Sequence, residues 1–186
     1  HKNRICMIKT GVENFRLFYL LFLRKYGILL CSNIMTIQRK EKEMYRGETI
    51  TREELCRTFD HSNLKAYADE AAFRKLCDEA KENHCAMVAI NSGPTALCHK
   101  LLEGTDIHVG AAISFPLGQT TIEEKVHETQ EAIRNGADEI DYVLNVGEVK
   151  NGNYNYIRKE MEAIVGVCRR EQVISKVIFE ICYLTE

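Results

Sequence analysis

An acid set inside an apolar run carries the clearest chemical signal in this sequence. Asp141 sits in Gly136-Ala-Asp-Glu-Ile-Asp-Tyr-Val-Leu-Asn-Val-Gly147, where Glu139 to Asn145 reads as a short strand. Alternate side chains of a strand point to opposite faces. Ile140, Tyr142 and Leu144 therefore share one face, apolar enough to lie under helices. Glu139, Asp141, Val143 and Asn145 share the other, which presents carboxylates and an amide. An ionised acid inside a protein is costly unless it is paired with a cation or at work as a catalyst. A single Asp in a strand is more often a half-solvated strand-end residue. The enzymatic reading therefore depends on whether other strands send polar groups to the same place.

Several do. Asp60 falls in a strand-like piece, Thr58 to Leu64, and Asn91 ends another, Cys85 to Asn91, on the face opposite Val88 and Ile90. Lys176 and Glu180 alternate with Val177, Phe179 and Ile181 in a further strand-like piece, Lys176 to Cys182. Val109 to Phe115 is the remaining one. Between the strands lie helical patterns. Phe73, Leu76, Cys77 and Ala80 recur at helical spacing, as do Ile122, Val126, Thr129 and Ile133, and then Ile157, Met161, Ile164, Val165 and Cys168. Thr121 with Glu124 three residues on is a capping box, and Gly136 is a helix stop. A fourth helix is expected over Thr95 to Glu103.

Repeated strand–helix units imply an α/β fold with a parallel sheet covered by helices. An open doubly wound sheet needs a Gly-rich phosphate turn after an early strand, and the sequence has neither G-x-G-x-x-G nor a Walker A motif. A (β/α)8 barrel instead predicts polar residues on one face of several strands near their carboxyl ends. Asp60, Asn91, Asp141, Lys176 and Glu180 meet that expectation.

Composition sets outer bounds. The 186 residues carry 25 basic and 27 acidic side chains. This is enough chain for one domain with a real core, and the near-neutral balance argues against nucleic acid as a partner. The eight cysteines form no Cys-x-x-Cys pair and no zinc-type Cys/His spacing. They fit a reduced, cytoplasmic setting in which free Cys behaves as a small hydrophobe. Residues 1–47 differ from the rest and read as a leader or upstream extension, poorly ordered or helical, ahead of a barrel over 48–186. The apolar run Leu17 to Leu23 is too short for a membrane span, which needs about 20 residues. A membrane-surface helix is the rival reading for this leader.

At Phe59-Asp-His-Ser-Asn-Leu-Lys65, Val88-Ala-Ile-Asn91, Ile113-Ser-Phe-Pro-Leu-Gly118, Asn135-Gly-Ala-Asp-Glu-Ile-Asp141 and Lys176-Val-Ile-Phe-Glu-Ile-Cys-Tyr-Leu184 the chain resembles the deoxyribose-phosphate aldolases. The resemblance runs in order over roughly residues 50 to 186. It departs at Asn91-Ser92-Gly93-Pro94, where the family usually has Asn-Pro, and at Glu180-Ile181, where it usually has Glu-Thr.

The resemblance implies a TIM barrel of which this chain holds about five of the eight strand–helix units. It implies reversible cleavage of 2-deoxy-D-ribose 5-phosphate to acetaldehyde and glyceraldehyde 3-phosphate through a lysine Schiff base. Asp141 matches the proton-relay aspartate, Asp60 a supporting acid, and Lys176 a lysine that does not form the Schiff base; we read Lys176 as an ion-pair partner of Asp141 or Glu180. Asn91 and Glu180 complete the expected polar network. The Schiff-base lysine belongs to a sixth strand absent from this chain. Lys65, Lys81, Lys100, Lys125, Lys150 and Lys159 read as solvated, so the chain alone is expected to be inactive, with an open strand edge beside Lys176 to Cys182. The implied partners are a sugar phosphate and an aldehyde, with homo-oligomerisation at full length, and no metal, organic cofactor, nucleic acid or membrane. The alternatives are a non-catalytic interaction protein or another sugar-phosphate barrel enzyme.

Overall fold

A computed structural model describes residues 3–10, 17–22, 43–45 and 48–184. In chain order the strands are β1 (Asn3–Thr10), β2 (Leu17–Phe22), β3 (Glu43–Tyr45), β4 (Glu48–Ile50), β5 (Asp60–Asn63), β6 (Met87–Asn91), β7 (His108–Ile113), β8 (Glu139–Val143) and β9 (Ile174–Ile178). The helices are α1 (Arg52–Cys56), α2 (Glu70–Asn83), α3 (Thr95–Leu101), α4 (Ile122–Arg134), α5 (Val146–Lys150) and α6 (Tyr154–Arg170). A 3-10 turn, Ile181–Tyr183, follows β9.

Strands β5 to β9 are parallel neighbours in sequence order, joined by helical crossovers. This is the α/β arrangement of part of a (β/α)8 barrel wall. Strands buried on both faces should carry near-continuous apolar runs, and β6 (Met-Val-Ala-Ile-Asn) does so. Outward-facing residues pack under the helices in two groups. Val88, Ile90 and Val109 meet Phe73, Leu76, Cys77 and Ala80 of α2 and Cys98 of α3. Ala111, Ile113, Ile140, Tyr142, Leu144 and Val177 meet Ala132 of α4 and Ile157, Ile164 and Cys168 of α6. Each fully buried aliphatic side chain here is worth roughly 1.5–3 kcal/mol, so these outer layers hold the strands in place and leave the inner face free for polar groups.

Local sequence explains the element ends. Asp69 caps α2 by accepting from the Ala72 amide at 2.9 Å. Thr121 caps α4 by accepting from the Glu124 amide at 3.2 Å. Gly136, at φ +92, turns the chain out of α4 where a Cβ would overlap the His99 ring.

Three expectations need correcting. The last strand is Ile174–Ile178, and Glu180 lies beyond it with left-handed backbone (φ 48, ψ 51). The open edge expected beside that strand is covered, because β1 pairs antiparallel with β9 and β2 pairs with β1. Within residues 1–47 the described segments Asn3–Thr10, Leu17–Phe22 and Glu43–Tyr45 are strands, and the rest of the expected leader lies outside the described residues. Finally, the buried face of α4 is Lys125, Thr129 and Ala132, with Ile122, Val126 and Ile133 only partly buried. Lys125 is thus fully buried instead of solvated. Apolar periodicity could not show this, because burial of this lysine depends on partners brought by other elements.

Candidate active site

The inner face of the sheet gathers four side chains around the ammonium of a fifth, Lys176. Asp60 opens β5, Met87 opens β6, Glu139 and Asp141 are two apart on β8, and Lys176 is the central residue of β9. Register places Asp141 directly opposite Lys176. Lys176 Nζ lies 3.1 Å from a carboxylate oxygen of each of Asp60, Glu139 and Asp141. It also donates to Met87 Sδ at 3.0 Å. Met87 reaches this position because β7 has Gly110 beside it, where a Cβ would overlap the Met87 methyl. His108 Nδ1 lies 2.7 Å from the second Glu139 oxygen, so Glu139 bridges His108 and Lys176.

Three carboxylates share this single buried ammonium, and that ratio sets the electrostatics. Asp141 is 2% exposed. Burial first, and then its neighbours Asp60 and Glu139, push its carboxyl up to about 7, against the pull of Lys176. Burial by itself lowers the Lys176 pKa, but Asp141, Asp60 and Glu139 together hold its ammonium well above the ordinary lysine range. The two shifts are compatible: the cation stays charged, and the proton that relieves the surplus negative charge resides on the most deeply buried acid. Lys176 Nζ stands 3.1 Å from Asp141 Oδ1, so the cation faces the carboxyl whose proton it opposes. A buried acid pushed towards neutrality beside a fixed cation is equipped to give and take a proton.

The structure thus brings together Asp60, Asp141 and Lys176. Asn91 is half-buried at the carboxyl end of β6, level through Ala112 of β7 with Asp141. Glu180 does not join them; it sits past the end of β9, where Cys182 Sγ donates to it at 3.5 Å. Lys176 therefore pairs with Asp141, as one of the two expected partners, and with Asp60 and Glu139 besides. Sequence reasoning placed Glu139 on the correct face without giving it a role, and it missed His108 and Met87. A period of two from Asp141 could have flagged Glu139; the reach of Met87 over Gly110 needed the packed sheet. Among the described residues, no three His, Cys, Asp or Glu side chains are grouped to hold a metal. Nor is any described helix long and apolar enough to cross a membrane.

The sequence model of the DeoC/LacD family aldolases matches residues 56–185, a span that holds all of these side chains. The chain belongs to the DeoC/LacD aldolase family. It is 54% identical over 136 residues to the deoxyribose-phosphate aldolase of Lactobacillus acidophilus, covering 73% of this chain and 57% of that protein. It is 48% identical over 134 residues to the corresponding aldolase of Bacteroides thetaiotaomicron, covering 72% and 56%. Among solved structures, the tetrameric deoxyribose phosphate aldolase of Aeropyrum pernix superposes with a TM-score of 0.62 at 25% identity, covering 67% of this chain and 51% of that one. The chain therefore spans little more than half the length of these relatives, and the matched part includes the whole parallel sheet from β5 to β9.

Proposed function

We propose that this chain supplies the acid–base side of a deoxyribose-phosphate aldolase site, with Asp141 as the group that moves protons. Asp141 itself carries the reading: it is a nearly inaccessible carboxyl, pushed up to about 7, that faces the Lys176 ammonium at 3.1 Å on the inner side of the sheet. In reversible cleavage of 2-deoxy-D-ribose 5-phosphate, a hydroxyl proton must leave as the carbon–carbon bond breaks, and a proton must return to the enamine carbon before acetaldehyde is released. A carboxyl near neutrality serves both steps, directly or through water. Asp60, Glu139 and His108 hold Lys176 in place, and Lys176 keeps Asp141 from drifting higher still. Asn91, at the strand end, faces the same space.

Neither buried lysine is a Schiff-base nucleophile in this reading. Such an amine must be partly neutral at working pH. Lys176 is held protonated by three carboxylates, and Lys125, although burial lowers its pKa, lies outside the sheet away from Asp141 with its amine bound three times. In this reading neither buried lysine is the nucleophile, and the chain alone is expected to be inactive. A cytoplasmic enzyme of small sugar phosphates fits the described cysteines, five of which are buried thiols outside any disulfide. The tetrameric Aeropyrum relative supports a homo-oligomer for the full-length protein.

Borohydride reduction in the presence of acetaldehyde, read by intact mass, tests the nucleophile assignment. The expected result is no stoichiometric adduct on this chain; an adduct at Lys176 would overturn it. In a protein extended to the full length of its relatives, Asp141→Asn should lower turnover about 10²- to 10⁴-fold. Turnover equal to wild type would remove Asp141 from the chemistry.

A further inference from the structure

Lys125 is the fully buried lysine that the site does not use. It lies on α4, on the outer side of the sheet from Asp141, and all three of its ammonium protons are taken. It donates to the Gly118 carbonyl at 2.8 Å, to the Val143 carbonyl at 2.7 Å and to Glu160 Oε1 at 2.6 Å. Glu160 comes from α6 and is equally buried; its other oxygen accepts from the Asn145 amide at 3.1 Å. Gly118 belongs to the loop that follows β7, and Val143 to Asn145 form the exit of β8. These two segments touch backbone to backbone, since a Cβ on Gly118 would overlap the Leu144 carbonyl oxygen.

A buried ion pair is a weak device for stability, because a well-packed apolar pair of similar volume does as well or better. Apolar side chains cannot bind carbonyls, however, and Lys125 binds one on each side of the seam between the loops. One turn further along α4, Glu128 does the same job at the preceding seam. It accepts from Ser92 Oγ, after β6, at 2.7 Å and from the Ser114 amide, after β7, at 2.9 Å. Helix α4 thus ties the carboxyl ends of three successive strands together from outside the sheet.

We propose that Lys125 is a positioning residue: it clamps the loop after β7 to the exit of β8 and so fixes the backbone that carries Asp141, two residues before Val143. The clamp stands on its own contacts. Its service to catalysis rests on the reading of Asp141 given above.

The test is amide exchange by NMR on the intact chain, combined with a carboxyl titration of Asp141. The informative amides are Gly118, which donates to Ser114 at 2.7 Å, and Leu144, which donates to Ile178 at 3.2 Å. Neither bond involves Lys125 or Glu160. In the wild-type chain both should exchange as slowly as the amides within β8; exchange more than about 100-fold faster, in the range of an open loop, would overturn the clamp. The double variant Lys125→Met with Glu160→Met removes both charges and leaves neither one buried alone. It should retain the fold, speed exchange at Gly118 and Leu144 at least about tenfold, and leave β6 unchanged. Its Asp141 midpoint should fall towards the ordinary carboxylate range as water gains access. Unchanged exchange, or faster exchange with an unmoved midpoint, would refute the positioning role. A wild-type Asp141 midpoint near 4 would instead sink the reading of Asp141, with the exchange result still deciding the clamp. If the double variant does not fold, the wild-type exchange rates decide it.

Discussion

Replacing Asp141 with Asn should make the protein more stable at alkaline pH, which is an unusual outcome for a buried polar position. The side chains have the same shape, but Asn cannot ionise. In the folded protein the Asp141 carboxyl is pushed up to about 7, whereas in the unfolded chain it titrates at about 3.9. Between these values the folded state binds a proton that the unfolded state has released. Stability contributed by this proton is therefore fully present below about pH 4 and is lost as pH rises through about 7. At about 1.4 kcal/mol per pH unit the gap amounts to about 4 kcal/mol. Asn resembles the protonated acid, so the two proteins should be similar near pH 4, and the variant should pull ahead by up to about 4 kcal/mol at pH 8. With a urea slope of about 2 kcal/mol/M, this is about 2 M in the unfolding midpoint. Urea unfolding followed by circular dichroism at pH 4, 6 and 8 measures it. Parallel stability profiles would show that Asp141 titrates as an ordinary carboxylate and that the surplus of negative charge around Lys176 is relieved elsewhere.

Lys176→Met at pH 7 removes the ammonium that faces Asp60, Glu139 and Asp141. It should destabilise by roughly 3–5 kcal/mol, because it strands buried charge; a urea midpoint within error of wild type would mean that the cluster is not sealed from water. Gly118→Ala should cost roughly 3 kcal/mol or more, since both its left-handed φ of +66 and the fixed Leu144 carbonyl oppose a Cβ. Gly136→Ala should cost only roughly 1–2 kcal/mol, because the exposed His99 ring can swing aside and only the φ of +92 remains opposed. Thermal unfolding of the pair checks the order, and equal losses would remove the seam between the loops as the cause.

The sequence by itself determined the alternation of strands and helices, the two faces of β8 and the family. Those properties are local or nearly so. A period of two assigns Ile140 and Tyr142 to one side and Glu139 and Asp141 to the other wherever the strand is placed. The apolar spacing of Phe73, Leu76, Cys77 and Ala80 likewise defines the buried stripe of α2 in any parallel-sheet fold. What only the tertiary structure decided is how charges meet across long separations. Asp60 and Lys176 are 116 residues apart in sequence and 3.1 Å apart in space. The fate of a lysine depends on such meetings. Lys125 has no local feature that distinguishes it from a solvated helix lysine. It is buried because Gly118, Val143 and Glu160 arrive from three other segments with acceptors in the right places. Glu180 shows the reverse: it continues the alternation of Lys176 in sequence, but β9 ends at Ile178 and the chain turns away. Apolar burial is additive and leaves a periodic trace in sequence, whereas a buried charge is tolerated only where several distant partners converge, and that convergence is a property of the fold.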